Sequence, residues 1–386
     1  MLGNIKHNSI WNNTYQYFSL KELNNNILAD ICVVGSGISG LTTAYLLQKA
    51  GKKVVILESG NLTSGETSKT GGHLLCAIDG LHDIIKNHGI KNAKLAVESH
   101  FSAIKLLEKI SKDENIDCDF EYGKCFWCEG DKSIDEDFYN ELNAAKEIGL
   151  NVKETESDFF KKLGKAMVFE NQAKINIGKY MAGLVRVFLD LGGQIYVNSS
   201  VLKIDNSDKV YVFTKDGTVE TEKIVIATGK PIYGADNLRQ QIYRTFVLGF
   251  AVKDNYFNDL MSDLSNCSHY FKTANDGKQN IAIIGGKDED IEKVHNMNQK
   301  WQEIEDWARK HFMGLGDIVY KWSGNVVNTE DGLAFIGKSL TQNNTFIITG
   351  TAGNGLTNGV VGSILINDLI FERDNPWLDV YKLDRN

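Results

Sequence analysis

The sequence predicts an α/β protein in which a domain with a parallel sheet is interleaved with a second domain built on an antiparallel sheet. Three observations predict it. Ile31, Cys32, Val33 and Val34 form an apolar run that enters a glycine-rich turn, a helix and a second apolar run at residues 54–57. That is the pattern of a strand–helix–strand unit whose parallel strands are buried on both faces. Residues 243–254 and 269–287 read as antiparallel strands, with Asp276-Gly277 marking a hairpin. Strands of the first kind return at residues 224–227 and 345–349, on either side of the antiparallel stretch, with no repeat or low-complexity linker. The expected division is therefore residues 1–80, 170–235 and 322–386 in one domain, and residues 81–169 and 236–321 in the other.

Residues 1–28 read as a peripheral arm, with Ser9-Ile10-Trp11 docking an aromatic ring onto the body. The next unit carries the first functional motif. Gly35, Ser36, Gly37, Ile38, Ser39 and Gly40 spell G-x-G-x-x-G directly after the first strand. Gly35 lets the chain turn sharply, Gly37 lets the backbone approach a pyrophosphate, and Gly40 lets the helix pack on the strand. The helix beginning near Ile38 aims its free amides and positive dipole end at the phosphates. Ile38, Leu41 and Tyr45 recur at helical spacing, and Gly51 sits where a C-terminal cap belongs. Glu58 ends the second strand, about 20 residues past the turn, where an acid binds ribose hydroxyls. The unit is Rossmann-like. An acid at this position argues against NADP and does not separate NAD from FAD.

Residues 59–80 are rich in Gly, Ser and Thr and leave many backbone amides free to meet a ligand. Helical patterns follow at 82–112, 135–149 and 174–191, the last ending at Gly192-Gly193, with a strand at 117–129. Short strands follow at 194–197, 201–205 and 210–214, then an Asp216-Gly217 turn and the strand 224–227, which runs into Ala227-Thr228-Gly229. An amphipathic helix is expected over 291–313, carrying Trp301, Ile304, Trp307 and Phe312. At the end, Thr349-Gly350-Thr351-Ala352-Gly353-Asn354-Gly355 closes a strand and opens a helix that runs through Leu369. Such a turn gathers amides and a dipole end, suited to a phosphate or to an anionic ring edge.

Composition narrows the classes. The chain has 386 residues, a net charge of −8 and 42% apolar content, which is enough for two domains and gives no basic footprint for nucleic acid or an anionic membrane. No apolar run reaches the length of a membrane span and the N-terminus has no signal-peptide core, so a cytoplasmic location is expected. The six cysteines are scattered: Cys32, Cys76, Cys118, Cys125, Cys128 and Cys267. Cys125 and Cys128 spell C-x-x-C, the form of a redox pair or half a zinc site. No second pair completes four ligands, GKCFWCEG reads as a strand, and no metal site is expected.

Four separated blocks together resemble the D-amino-acid oxidase family of flavin oxidoreductases, which includes glycine oxidase and sarcosine oxidase. They are VVGSGISGLTTAYLLQKAGKKVVILE; the loop GETSKTGGHL; Val201 with the later KIVIATG; and DGLAFIG followed by TGTAGNGLTNG. The resemblance implies FAD. It is expected to lie against residues 35–40, Glu58, Ser59, Thr67, Ser68, Gly71, Gly72, His73, Val201, Ala227, Thr228, Gly229, Gly350, Gly353, Asn354, Gly355, Leu356 and Thr357. A finer resemblance, in TSKTGGHL, VESHFSAI and NPWLDVY, is to a subgroup bearing a Rieske iron–sulfur domain. Cys267-Ser268-His269 mimics half a Rieske motif, but no cysteine follows Cys267. The Rieske domain is expected to be absent, and any electron transfer to iron–sulfur to use another protein.

The sarcosine-oxidase branch grips a substrate carboxylate with an arginine and a lysine. Gly71 and Thr357 stand at those positions here, which puts an N-methylglycine-type substrate in doubt. Arg244, in QIYRTFVLGF, is a candidate carboxylate grip or a structural ion-pair residue. His73 and Lys69 are expected near the flavin ring, where either tunes it or touches substrate, and His73 is a candidate for a covalent flavin link. The resemblance implies oxidation of a CH–NH bond in a small amine or amino acid by hydride transfer to flavin N5, with oxygen or an electron-carrier protein as acceptor. The rivals are oxidation of a 2-hydroxy acid, which needs a base such as His73, and a non-catalytic flavoprotein or electron-transfer subunit lacking a closed substrate cavity.

Overall fold

A computed structural model describes residues 5–385 apart from 17, 131–134, 236–237, 255 and 266–267. Two sheets divide the chain. The first runs in the order Phe335–Lys338, Thr345–Thr349, Thr218–Gly229, Asn26–Val34, Val54–Leu57, Gln194–Tyr196. All neighbours are parallel except the outer pair, Phe335–Lys338 with Thr345–Thr349. Burial explains the arrangement: Val54–Leu57 and Thr345–Thr349 are buried at every residue, as a sheet covered on both faces requires. The helices Ile38–Lys49, Ile177–Asp190 and Gly355–Ile370 supply cover, with the first packed against the other two.

The second sheet runs Ile318–Thr329, Gln240–Val252, Asn280–Asp290, His269–Asn275, Leu260–Asp263, Glu121–Cys128, Ala166–Lys174, His73–Leu74. It is antiparallel throughout except where Leu260–Asp263 runs beside Glu121–Cys128. Ala166–Lys174 and Ile318–Thr329 belong to this sheet, although residues 170–174 and 322–329 fall in segments expected for the parallel domain. Residues 319–324 alternate between half-buried and buried, the mark of an antiparallel strand with one face covered. The helix Met297–His311 lies on this sheet. Ile304, Trp307, Ala308 and His311 form its buried stripe, and Asn296 caps it by accepting from Gln299 N at 3.2 Å.

Other elements differ in detail from expectation. The long helix Leu81–Asp113 breaks at Gly89, where φ is 74° and ψ is 158°, far from helical values. Thr218–Gly229 forms one strand where only 224–227 was expected, because its first half pairs with both Asn26–Val34 and Val210–Phe213. Cys125 and Cys128 lie in the strand Glu121–Cys128, fully buried, in two different core clusters. Positions three apart on a strand face opposite ways, so they share neither a disulfide nor a metal. Cys267 lies outside the described residues. Among those residues, no helix is long and apolar enough to cross a membrane.

Candidate active site

A cavity of about 880 Å³ is lined by residues of both sheets. The C-terminal ends of the parallel strands build one part of its wall. Gly35 sits at φ +103°, and a Cβ there would lie 2.6 Å from Ala227 O. A Cβ at Gly40 would lie 1.9 Å from Gly35 O, so only glycine lets the helix approach. Gly35, Ser36, Gly37, Ile38 and Ser39 line the cavity, and Gly40 packs behind them. Glu58 also lines it, with its carboxylate anchored. Oε2 accepts from Ser36 N at 3.0 Å and Ser36 Oγ at 2.7 Å; Oε1 accepts from Gly60 N at 2.9 Å. Thr67 Oγ1 accepts from Ile38 N at 3.0 Å and ties the second loop to the first turn.

Ser59, Thr67, Gly71, Val201, Ala227, Thr228, Gly229, Gly353, Asn354, Gly355 and Leu356 complete this part of the wall. Ser68, Gly72, Gly350 and Thr357 do not reach it. Ser68 Oγ donates to Thr63 O at 2.6 Å, away from the cavity. Gly72 faces Lys272 and Trp11, and a Cβ at Gly350 would meet Thr329 Cγ2 at 2.5 Å, so both glycines serve packing. Thr357 is 1% exposed inside the last helix. The N-terminal arm supports the loop from outside: Ser9 Oγ bonds Ser68 O, and Trp11 Nε1 donates to Thr70 O at 2.7 Å.

Of the residues expected near substrate, two line the cavity and one does not. Lys69 lines it, paired with Glu66 at 3.0 Å. His73 lines it and donates Nε2–H to Phe271 O at 3.0 Å. Burial, aided by the nearby Lys272 charge, pushes its pKa down to about 3. Lys272 is itself held well below the lysine range by burial, and donates to Gly72 O and Ile175 O at 2.7 and 2.8 Å. Arg244 is off the wall and gives Nε to Asn325 Oδ1 at 3.2 Å; Thr245 takes the cavity position instead. The pairing shifts register between Arg244 and Phe246, and such a bulge re-aims side chains.

The rest of the wall is built by residues with no motif. Asp79, Asp263, His269, Tyr270 and Asp288 line it with Trp127 and Thr245. His269 Nδ1 stands 2.8 Å from Asp263 Oδ2, and its ring stacks on Trp307 with centroids 3.8 Å apart. It is therefore an Asp-held imidazole, not half of a Rieske motif. Burial pushes the Asp79 carboxyl up to about 6, with Asp288 adding to the rise, and burial also raises Asp288. These residues lie on separate strands and a loop, so no sequence spacing could announce them.

The family model for FAD-dependent oxidoreductases, DAO, matches residues 30–369. The chain belongs to this family. It is 24% identical to the Bacillus subtilis (strain 168) protein YhfW, named for a Rieske 2Fe-2S centre, over 97% of this chain and 75% of that protein. It is 24% identical to gamma-glutamylputrescine oxidoreductase of Escherichia coli (strain K12), over 92% of this chain and 86% of the other. Glycine oxidase from Geobacillus kaustophilus superposes with a TM-score of 0.79 at 18% identity, covering 93% of this chain and 99% of that one. The protein is an FAD-dependent oxidoreductase, and the cavity fits the cofactor. Two helices without side-chain caps, Ile38–Lys49 and Gly355–Ile370, begin at its wall. Asn354 is 6% exposed, and its Nδ2 is a buried donor with no protein acceptor. A Cβ at Gly355 would meet only Thr351 Oγ1, at 3.5 Å, and otherwise fill the cavity. The cavity thus meets two helix N-termini, whose positive dipole ends suit an acceptor-rich dinucleotide.

Proposed function

We propose that the enzyme oxidises a small-molecule amine or amino acid at the C–H bond beside nitrogen, passing electrons to oxygen or an electron-carrier protein. FAD, when bound, supplies the two-electron acceptor for that bond. The observation that carries this reading is the continuation of the cavity past Gly353 and Asn354 into a chamber walled by the antiparallel sheet. A flavoprotein that only carries electrons has no need of such a chamber. The walls orient the donor, and His269, whose Nδ1–H bonds Asp263 and whose Nε2 has no protein partner, would take a proton from an entering ammonium. The amine then reacts in its neutral form.

Oxidation of a 2-hydroxy acid is less well supported. His73, the base expected for that reaction, has its pKa pushed down to about 3 and is a poor base at neutral pH. Mixing the FAD-bound protein anaerobically with amines, amino acids and 2-hydroxy acids tests the reading. Amine-bearing compounds should bleach the flavin; bleaching by hydroxy acids alone would overturn the proposal.

A further inference from the structure

The last turn is held in a conformation it would not adopt alone. Ala352 has φ 45° and Gly353 has φ 77°, so two successive residues lie in the left-handed region, where alanine is disfavoured. Such a pair persists only where its surroundings fix it. Ala352 N donates to Val327 O at 3.0 Å. Thr351 O accepts from Asn354 N at 3.1 Å and from Asn358 Nδ2 at 3.0 Å. Asn358 lies in the first turn of the last helix, Gly355–Ile370, and is 2% exposed.

Behind Asn358 stands His100, on the helix Leu81–Asp113 and fully buried. Its Nε2 lies 2.9 Å from Asn358 Oδ1, and its Nδ1 lies 3.0 Å from Leu75 O. Leu75 and Thr351 both line the cavity, so this one ring joins two of its walls. Asn358 gives Nδ2 to Thr351 O and therefore turns Oδ1 to the ring, and Leu75 O can only accept. Burial lowers the His100 pKa, against the two oxygen contacts that raise it; no neighbouring charge contributes. A neutral imidazole has one N–H for these two acceptors. On Nε2 that proton holds the turn through Asn358; on Nδ1 it holds Leu75.

We propose that His100 is a positioning residue for flavin reduction: its Nε2–H, acting through Asn358, sets the turn from Thr351 to Asn354 against the flavin ring. The proposal rests on the placing of the ring at that turn. Thr351, Gly353, Asn354 and Gly355 line the cavity, and a helix dipole begins there. Negative charge that develops on the ring during reduction is stabilised by amides only while they stay aimed at it. Freeing Thr351 O lets the strained pair at 352–353 relax and turns those amides away. His100 itself is off the cavity wall. Its effect therefore falls on the flavin's redox equilibrium and not on the retention of FAD.

Two substitutions separate the two bonds, because an asparagine amide reaches the place of imidazole Nδ1 and a glutamine amide that of Nε2. His100→Gln keeps the link to Asn358 and drops Leu75; His100→Asn does the reverse. Each FAD-bound variant is equilibrated with a redox dye, which needs no substrate, and the thermal midpoint of each apoprotein is measured beside it. Both variants should lower the midpoint and keep the parent's FAD content. His100→Asn should shift the flavin–dye equilibrium toward oxidised flavin about three- to ten-fold, as loss of one hydrogen bond would, while His100→Gln stays near the parent. Asn358→Ala should match His100→Asn, and the double variant should add nothing further. If His100→Asn does not fold, Asn358→Ala against His100→Gln makes the same comparison. Lower midpoints with an unmoved equilibrium, or a shift in His100→Gln but not in His100→Asn, overturn the proposal; so do additive effects in the double variant. Gly355→Val is the control for the ring. If it alone shifts the equilibrium, the His100 proposal fails and the ring placement stands; if none of the variants shifts it, both fail.

Discussion

Replacing Glu58 by alanine should separate cofactor binding from packing at the nucleotide end. The carboxylate accepts from Ser36 N, Ser36 Oγ and Gly60 N, and more loosely from Ser59 Oγ at 3.2 Å. A carboxylate has about four acceptor positions, so ribose hydroxyls must displace the longest of these bonds, the one from Ser59. If Glu58 binds the ribose, alanine removes that contact, worth about 1.5–3 kcal/mol for a hydrogen bond to a charged group. It also strips two backbone amides of their acceptor, at about 1–3 kcal/mol for each that stays buried. The expected result is FAD binding weakened about ten- to hundred-fold, with a lower thermal midpoint of the apoprotein. Ser36→Ala removes only the 2.7 Å hydroxyl bond and should lower the midpoint while sparing FAD affinity. Titrating FAD into the apoprotein and following flavin fluorescence gives the dissociation constants. If Glu58→Ala lowers the midpoint yet leaves FAD affinity unchanged, Glu58 braces the glycine turn and is not a ribose ligand.

Three further predictions follow from other parts of the cavity. Gly355→Val fills space at the start of the last helix; it should lower the flavin reduction potential and slow anaerobic reduction about ten-fold for each 1.4 kcal/mol of lost anion stabilisation, with FAD retained. An unchanged potential, measured by dye equilibration, would place the flavin ring elsewhere. Cys125→Ser with Cys128→Ser should leave FAD content intact, and metal analysis of the parent protein should find no stoichiometric zinc; one zinc per chain would contradict the two-faced placement of the pair. His73 has its pKa pushed down to about 3 from an ordinary 6.5, so its contribution to stability is full above about pH 6.5 and is lost as pH falls toward 3. His73→Gln should flatten denaturant midpoints across that window, and an unchanged acid limb would show that His73 is not buried neutral.

Much of the fold was legible because local geometry writes itself into residue type. The turn at residues 35–40 needs glycine at Gly35 and Gly40, where any Cβ would strike backbone oxygen, and buried parallel strands need unbroken apolar runs. The last turn was readable for the same reason, with Gly353 at φ +77° before an uncapped helix. The glycines at 72 and 350 share that signature and serve packing instead, because composition does not say which side of a loop faces the ligand. Of the two readings open for Arg244, the bond to Asn325 favours the structural one, and the bulge beside it is not something sequence parity can anticipate. The chamber was not legible at all. Asp79, Asp263, His269 and Asp288 meet only because strand order brings their elements around one hollow, and His269 stood out in the sequence for its neighbour Cys267 rather than for Asp263.

The most direct test of the account is a single turnover without oxygen: FAD-bound protein mixed with an excess of the primary amine that bleaches it best, with bleached flavin, carbonyl product and released ammonia all counted. Oxidation of a primary amine beside its nitrogen, followed by imine hydrolysis, predicts one carbonyl and one ammonia for each flavin bleached. Bleaching without ammonia, or a yellow protein that no amine bleaches, would contradict it.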